Sequence, residues 1–210
     1  MTSDSLPLFP LRVVLLPDEI LPLHIFEERY KEMINECLDH GGPFGVVLAE
    51  NNEIRNIGCA ARVTNVLERF PDGKLNIMTQ GKERFRILHP YQELAYMTAD
   101  VEYFDDPPES EASPDLAEKI IDAISDADTG KSHVTDEIRR DFKKLSFRAG
   151  AMLGLSLSSK QMLLESVSPD ERAEIILEML EESRRTSVNL KTIQENDTHR
   201  NGHQNGHFKK

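Results

Sequence analysis

The stretch Leu6–Tyr30 reads LPLFPLRVVLLPDEILPLHIFEERY, and the prediction of the fold starts from it. Proline fixes φ near −65° and lacks an N–H, so the pattern predicts short extended pieces instead of one helix or long central strands. The prolines concerned are Pro7, Pro10, Pro17 and Pro22. From Phe26 onward, apolar residues follow helical spacing with charged residues between them. The stretch is apolar enough to nucleate a core, and nothing in it indicates a reaction centre.

The residues that follow predict a β-rich half. A helix from about Glu27 to His40 should end at Gly41, and the apolar run 44–49 predicts a buried strand. The residues around 71–73, PDG, predict a hairpin turn, with a bulge expected near Val66. We expect Gly81 to begin a second turn and the alternating residues 97–103 to form the last strand. Residues 5–106 are therefore predicted to form a mostly antiparallel β-barrel or sheet with one inserted helix.

The second half of the chain predicts helices. The stretch 105–115, DDPPESEASPD, is acidic and carries no large apolar residue, which is typical of a solvated linker. We place the linker at 107–114, a small α-helical bundle at 115–194 and a disordered tail at 195–210. One predicted helix is marked by Val134, Ile138, Phe142 and Leu145, and another is capped at Ser158 or Ser159. The predicted fold class is α+β.

Composition narrows the possible functions. No run of eighteen apolar residues and no secretory signal is present, so we expect a cytoplasmic protein that does not bind membranes. Two cysteines cannot make a disulfide framework or a four-sulfur zinc site. The net charge of −12 opposes long-range attraction to the phosphates of nucleic acid.

No catalytic, cofactor-binding or metal-binding residue is predicted. The segment 156–160, SLSSK, could suggest a Ser/Lys dyad, but serine at a helix start has its own capping role. The tail histidines lie among glycines and asparagines, which favours a flexible tail over a metal site; they are His199, His203 and His207. Arg84 could bind an anion, but pairing with a carboxylate is favoured in so acidic a chain.

An apolar patch between two predicted helices is the candidate polypeptide-binding site. It comprises Met152, Leu153 and Leu155 within the segment AMLGLSL. Apolar runs usually face inward, so core packing is the favoured interpretation of this segment. The alternative is a partly exposed groove that grips another polypeptide.

The chain resembles the N-terminal substrate-binding domain of Lon proteases over about residues 6–185. The resemblance rests on an ordered series of motifs: LPLFPLRVVLLPDEILPLHIFEERYKEM, PFGVVL, IGCAARV, DGK, GKERFRI and VEYFDD. It departs from the family at Asp18, where glycine is usual after the proline. The resemblance implies a PUA-like β-barrel half, a helical half, and recognition of unfolded or tagged polypeptides. The family's ATPase and Ser/Lys peptidase motifs do not occur in these residues, so we expect a stand-alone domain.

Three functional hypotheses follow. The leading one is a non-catalytic polypeptide-binding module that acts in protein quality control. Its partners would be unfolded or client polypeptides and possibly a Lon-type protease, without a cofactor. The alternatives are a small hydrolase with an unrecognised site and an RNA-binding PUA-like module. The sequence leaves the client and the oligomeric state open.

Overall fold

A computed structural model describes residues 4–92, 94–108, 110, 113–127, 141–183 and 185. The β-rich half comprises β1 (Asp4–Leu11), β2 (Ile20–Ile25), α1 (Glu28–His40), β3 (Phe44–Glu50), β4 (Glu53–Ile54), β5 (Ile57–Arg69), β6 (Leu75–Tyr91) and β7 (Met97–Phe104). The helical half comprises α2 (Pro114–Ala127), α3 (Phe142–Met152), α4 (Leu157–Glu165) and α5 (169–183). The predicted α+β fold class is confirmed.

The strands close into a barrel because β1 changes partners halfway along its length. Residues 4–8 of β1 pair with β7 in antiparallel fashion, and residues 8–11 pair with β3 in parallel. The ring therefore runs β1–β7–β6–β5–β3 and returns to β1, while β2 pairs only with β6. Pro7 and Pro10 each have a partner strand on one side only, so their missing N–H groups need not remove a ladder hydrogen bond.

The predicted turn at Gly81 is wrong, because β6 is one strand of 17 residues that runs straight through it. The backbone of the opening stretch crosses β6 at this point, with hydrogen bonds from Asp18 N to Gly81 O (3.0 Å) and from Gly81 N to Glu19 O (2.9 Å). A Cβ atom at Gly81 would lie 2.2 Å from the carbonyl oxygen of Leu16. Glycine is therefore needed for a close approach of two backbones. At the crossing, Asp18 has a left-handed φ of 62°. Glycine, which adopts this conformation readily, is usual at this position in the family that the sequence resembles.

Helix α1 begins and ends as the sequence predicts. It runs from Glu28, one residue after the predicted start, and Gly41 ends it with a φ of 65°. The bulge near Val66 is also confirmed, as a register shift between Val66 and Glu68 in the pairing of β5 with β6. The turn at Gly73 has a φ of 82°. These local predictions succeeded because glycine and turn residues fix backbone geometry without help from distant contacts.

One continuous hydrophobic core joins the two halves. Leu15 and Leu16 of the opening stretch are buried in the same cluster as Leu163 of α4 and Ile176 of α5. Close packing at this contact depends on Gly150, where a Cβ atom would lie 3.0 Å from Cδ1 of Leu16. The opening stretch therefore belongs to the core of both halves.

Helix capping in the second half differs slightly from prediction. Ser156 caps α4, accepting from the backbone N–H of Ser159, whereas the predicted caps were Ser158 and Ser159. At the start of α5, Ser168 Oγ accepts from Glu171 N, but the Glu171 carboxylate accepts from Ser166 Oγ, so only one half of a capping box is formed. Among the described residues no helix is long and apolar enough to cross a membrane. Phe142 and Leu145 of the predicted helix lie in α3, whereas Val134, Ile138 and the predicted tail at 195–210 lie outside the described residues.

Replacement of Gly81 by alanine should destabilise the protein strongly. The added methyl group would meet backbone atoms of Leu16 that no rotamer change can move, and such overpacking costs about 1–3 kcal/mol. Urea unfolding of Gly81→Ala should show this loss in the free energy of unfolding. The matched control is Gly42→Ala, since no atom lies within 4 Å of a Cβ there. Equal stability of the two variants would contradict the close-approach explanation.

Candidate functional site

A buried ionic cluster fixes the helical half against the barrel. Arg84 of β6 places Nη2 2.5 Å from Asp106 Oδ1, and Arg172 of α5 places Nη2 2.6 Å from Asp106 Oδ2. The three side chains are 1%, 0% and 4% exposed for Arg84, Arg172 and Asp106. Both guanidinium groups also donate to the carbonyl oxygen of Ser166. One carboxylate therefore bridges an arginine from each half of the molecule.

Aromatic rings complete the environment of the two arginines. The guanidinium carbon of Arg172 lies 4.2 Å from the ring centroid of Phe147, and that of Arg84 lies 5.2 Å from the same ring. Arg84 also lies 4.7 Å from the centroid of Phe104. Burial lowers the pKa of Arg84, and the charge of Asp106 offsets part of this effect. Arginine begins from so high a pKa that the guanidinium stays charged at neutral pH.

This cluster confirms one prediction and corrects another. Arg84 was expected to pair with a carboxylate, and it does so with Asp106. The acidic stretch 105–115 was expected to be solvated, but Asp106 within it is buried, whereas its neighbour Asp105 has a side chain that is 62% exposed. The difference arises because a buried arginine needs a nearby counter-charge, and the chain supplies it where β7 leaves the barrel.

Beside the cluster lies a cleft of about 470 Å³ between the two halves. Its walls include Phe104 and Phe147, but seven of its eleven lining residues are ionisable, four of them acids and three of them bases. Lys144 and Asp141 on the helical side form an ion pair at 3.5 Å. The cleft therefore combines aromatic side chains with charged groups of both signs.

A second concavity, of about 650 Å³, lies on the β-rich half and is termed the β groove. It is lined by Pro22, Leu23, His24, Leu67, Glu68, Asn76 and Ile77. Four of these are apolar, and only Glu68 carries a fixed charge. Leu67 is 57% exposed and sits at the register shift in β5. Phe26, also 57% exposed, lies beside the groove, with its ring centroid 5.9 Å from that of His24.

A row of polar residues crosses the three strands that carry the β groove. Asn76 of β6 pairs in register with His24 of β2 and with Glu68 of β5. His24 Nδ1 lies 2.7 Å from Asn76 Oδ1, and Asn76 Nδ2 donates to Glu68 Oε2 at 3.0 Å. The groove therefore combines an apolar lining with one ordered polar row.

The structure places the predicted polypeptide-binding residues at the end of α3. Met152 is 37% exposed, whereas Leu153 and Leu155 are partly buried against the core. None of the three lines the cleft or the β groove. Their role in polypeptide binding stays a prediction.

Sequence reasoning missed the residues of the β groove. Pro22, Leu23 and His24 lie within the opening stretch, which was interpreted as scaffold. Leu67 gave one usable indication, since alternation slips beside it and a bulged residue can turn outward. The pairing of β2 with β6 depends on contacts distant in sequence, so the groove could not be predicted from local pattern.

The segment considered for a Ser/Lys dyad has other partners. Lys160 Nζ lies 2.6 Å from Glu19 Oε1, and Ser156 caps α4. The geometry thus assigns Lys160 to an ion pair between the halves. Among the described residues there is also no group of three or more His, Cys, Asp or Glu side chains placed to hold a metal ion.

Comparison with known proteins identifies the class of this fold. Residues 5–182 match the family model of the ATP-dependent protease La (LON) substrate-binding domain. The crystal structure of a Lon N-terminal domain protein from Xanthomonas campestris is similar, with a TM-score of 0.67, 26% identity, and coverage of 83% of this chain and 97% of that one. The N-terminal domain of the Mycobacterium avium complex Lon protease shares the fold, with a TM-score of 0.66 and 19% identity.

The chain belongs to the LON substrate-binding domain family. It is 35% identical over 132 residues to the Lon protease of Flavobacterium johnsoniae, covering 59% of this chain and 15% of that protein. It is 26% identical over 198 residues to the Lon protease of Cytophaga hutchinsonii, covering 84% of this chain and 24% of that protein. The match is therefore confined to a minor part of each full-length relative.

Neutralising Asp106 should cost far more stability than neutralising its neighbour. Asp106→Asn leaves buried Arg172 without a counter-charge and leaves Arg84 with only the mostly exposed carboxylate of Asp105, 3.8 Å away. Breaking a buried ion pair in this way costs about 3–5 kcal/mol. Chemical denaturation of Asp106→Asn and of the control Asp105→Asn measures the difference. We expect a loss below about 1 kcal/mol for the control, whose carboxylate is mostly exposed. Similar losses in the two variants would show that the cluster does not join the halves.

Proposed function

We propose that this chain is a non-catalytic polypeptide-binding module that holds exposed apolar segments of unfolded or client polypeptides in the β groove. The observation that carries the proposal is the open apolar lining of that groove, with Leu67 57% exposed at its edge. Membership of the LON substrate-binding domain family supports the same conclusion. In this proposal the module serves protein quality control and passes clients to a Lon-type protease.

The β groove suits an apolar segment better than the cleft does. An apolar side chain gains free energy when it covers apolar surface, at about 25 cal/mol per Å², and loses it when it strips water from charged groups. The groove has one residue of fixed charge in its lining, whereas the cleft has seven lysine, arginine, aspartate or glutamate residues. We therefore assign client binding to the groove.

The alternative functions gain less support. The ion pair of Lys160 with Glu19 argues against the Ser/Lys chemistry considered for a hydrolase. The net charge of −12 opposes RNA binding, which depends on neutralising phosphates. Binding of a polypeptide by apolar contact requires neither a Ser/Lys dyad nor a surface that neutralises phosphates.

Affinity at a single groove should be modest. The gain from covering a few apolar side chains is offset by the entropy lost when an unfolded segment is ordered. A lining built mainly from aliphatic and proline side chains offers few directional contacts, so it should accept many apolar sequences. This combination suits a protein that must recognise exposed core segments of different clients.

Replacement of Leu67 by serine should weaken binding of an unfolded polypeptide about five- to tenfold, because burial of a leucine side chain contributes about 1.5–3 kcal/mol when complete. Titration of the full chain against a reduced, carboxymethylated and fluorescently labelled protein measures this change. Leu67 is already exposed, so the fold should tolerate the substitution.

The matched control is Leu88→Ser. Leu88 is 48% exposed and, like Leu67, lies at a register shift in a strand, but it does not line the groove. We expect the control to bind as the unaltered chain does. Absence of binding above that of a folded, charge-matched protein would overturn the proposed function, and equal weakening by both substitutions would place the site elsewhere.

A further inference from the structure

The polar row across the β groove fixes the orientation of His24. Glu68 can only accept, so the Asn76 atom that faces it at 3.0 Å is the amide nitrogen. Asn76 must then turn its oxygen toward His24, and the 2.7 Å contact requires that His24 Nδ1 carry a proton. In the neutral ring, Nε2 is therefore the unprotonated nitrogen, and it has no partner among the described residues.

Glu68 supplies an uncompensated negative charge at the opposite end of the polar row, on the other side of Asn76. Its carboxylate accepts from the neutral amide of Asn76, and no basic side chain of the described ranges pairs with it. The basic residues near it along the chain are engaged elsewhere. Arg69 donates to Asn35 of α1 at 3.3 Å, Arg62 donates to the carbonyl of Gly41, and Lys74 pairs with Asp72 at 2.7 Å.

From this arrangement we infer that the β groove selects apolar segments that carry a lysine or arginine beside the apolar residues. The apolar side chain covers Leu67 and Pro22, while a basic group pairs with the Glu68 carboxylate at one end of the polar row or donates to His24 Nε2 at the other. Charge complementarity is the basis of this choice, since the lining holds one carboxylate and neither lysine nor arginine. The inference rests on the proposed function and specifies the class of client that the same site takes.

The test compares three labelled peptides of about ten residues with the same centre of leucine, valine and phenylalanine. They are flanked by two lysines, two glutamines or two glutamates, and fluorescence anisotropy measures their binding to the full chain. We expect the lysine-flanked peptide to bind about two- to fivefold more tightly than the glutamine-flanked one, as for an exposed ion pair. The glutamate-flanked peptide should bind least tightly.

Substitutions separate the groove from the overall charge of the protein. Glu68→Gln keeps an acceptor for Asn76 but removes the charge, and Glu53→Gln makes the same change on β4, outside the groove. The preference for lysine should disappear in Glu68→Gln and persist in Glu53→Gln. His24→Asn can keep the donor to Asn76 but lacks the Nε2 acceptor, so it should also reduce the preference.

The outcomes distinguish this inference from the proposed function. If none of the three peptides binds, both are overturned. If the glutamine-flanked peptide binds but lysine gives no gain, or if the gain survives unchanged in Glu68→Gln, only the inference is overturned. Unchanged unfolding midpoints of the variants ensure that the comparison is made between folded proteins.

Discussion

The shared carboxylate of Asp106 is the interaction on which the arrangement of the two halves depends. It neutralises Arg84 from the barrel and Arg172 from the helical half, and both arginines are almost fully buried. Neither guanidinium could remain there alone, because an unpaired buried charge is far more costly than a lost surface contact. Helix α5 is thereby held in one position relative to β6. The apolar core between the two halves adds stability, but it does little to fix their relative orientation, since apolar burial is not directional.

Strand β6 connects this joint to the β groove. Its residues 75–80 pair with β2 and carry the groove, Gly81 lets the opening stretch cross, and Arg84 enters the ionic cluster. Strand β6 pairs with its neighbours along most of its length, but its register with β5 shifts between Gly81 and Arg84. The groove and the joint therefore lie on one strand, on either side of this shift, and they present different surfaces to solvent.

The sequence predicted local geometry better than it predicted surfaces. Gly41 and Gly73 were placed correctly because their turns follow from neighbouring residues. The carboxylate partner of Arg84 could be expected from composition, but its identity required knowledge of where β7 ends. Gly81 was misassigned because a close backbone approach and a turn both demand glycine. The β groove was not predicted because its lining residues come from different strands. The hydrophobic periodicity of a strand does not indicate which other strand it pairs with.

The position of Leu16 has a consequence for synthesis on the ribosome. This residue shares a core with Ile176, which emerges about 160 residues later. At typical elongation rates of about 5–20 residues per second, that delay is roughly 8–30 s. During this interval the growing chain displays the same kind of apolar surface that it is proposed to recognise in others. The nascent chain thus passes through a stage in which it resembles the polypeptides that it is proposed to bind.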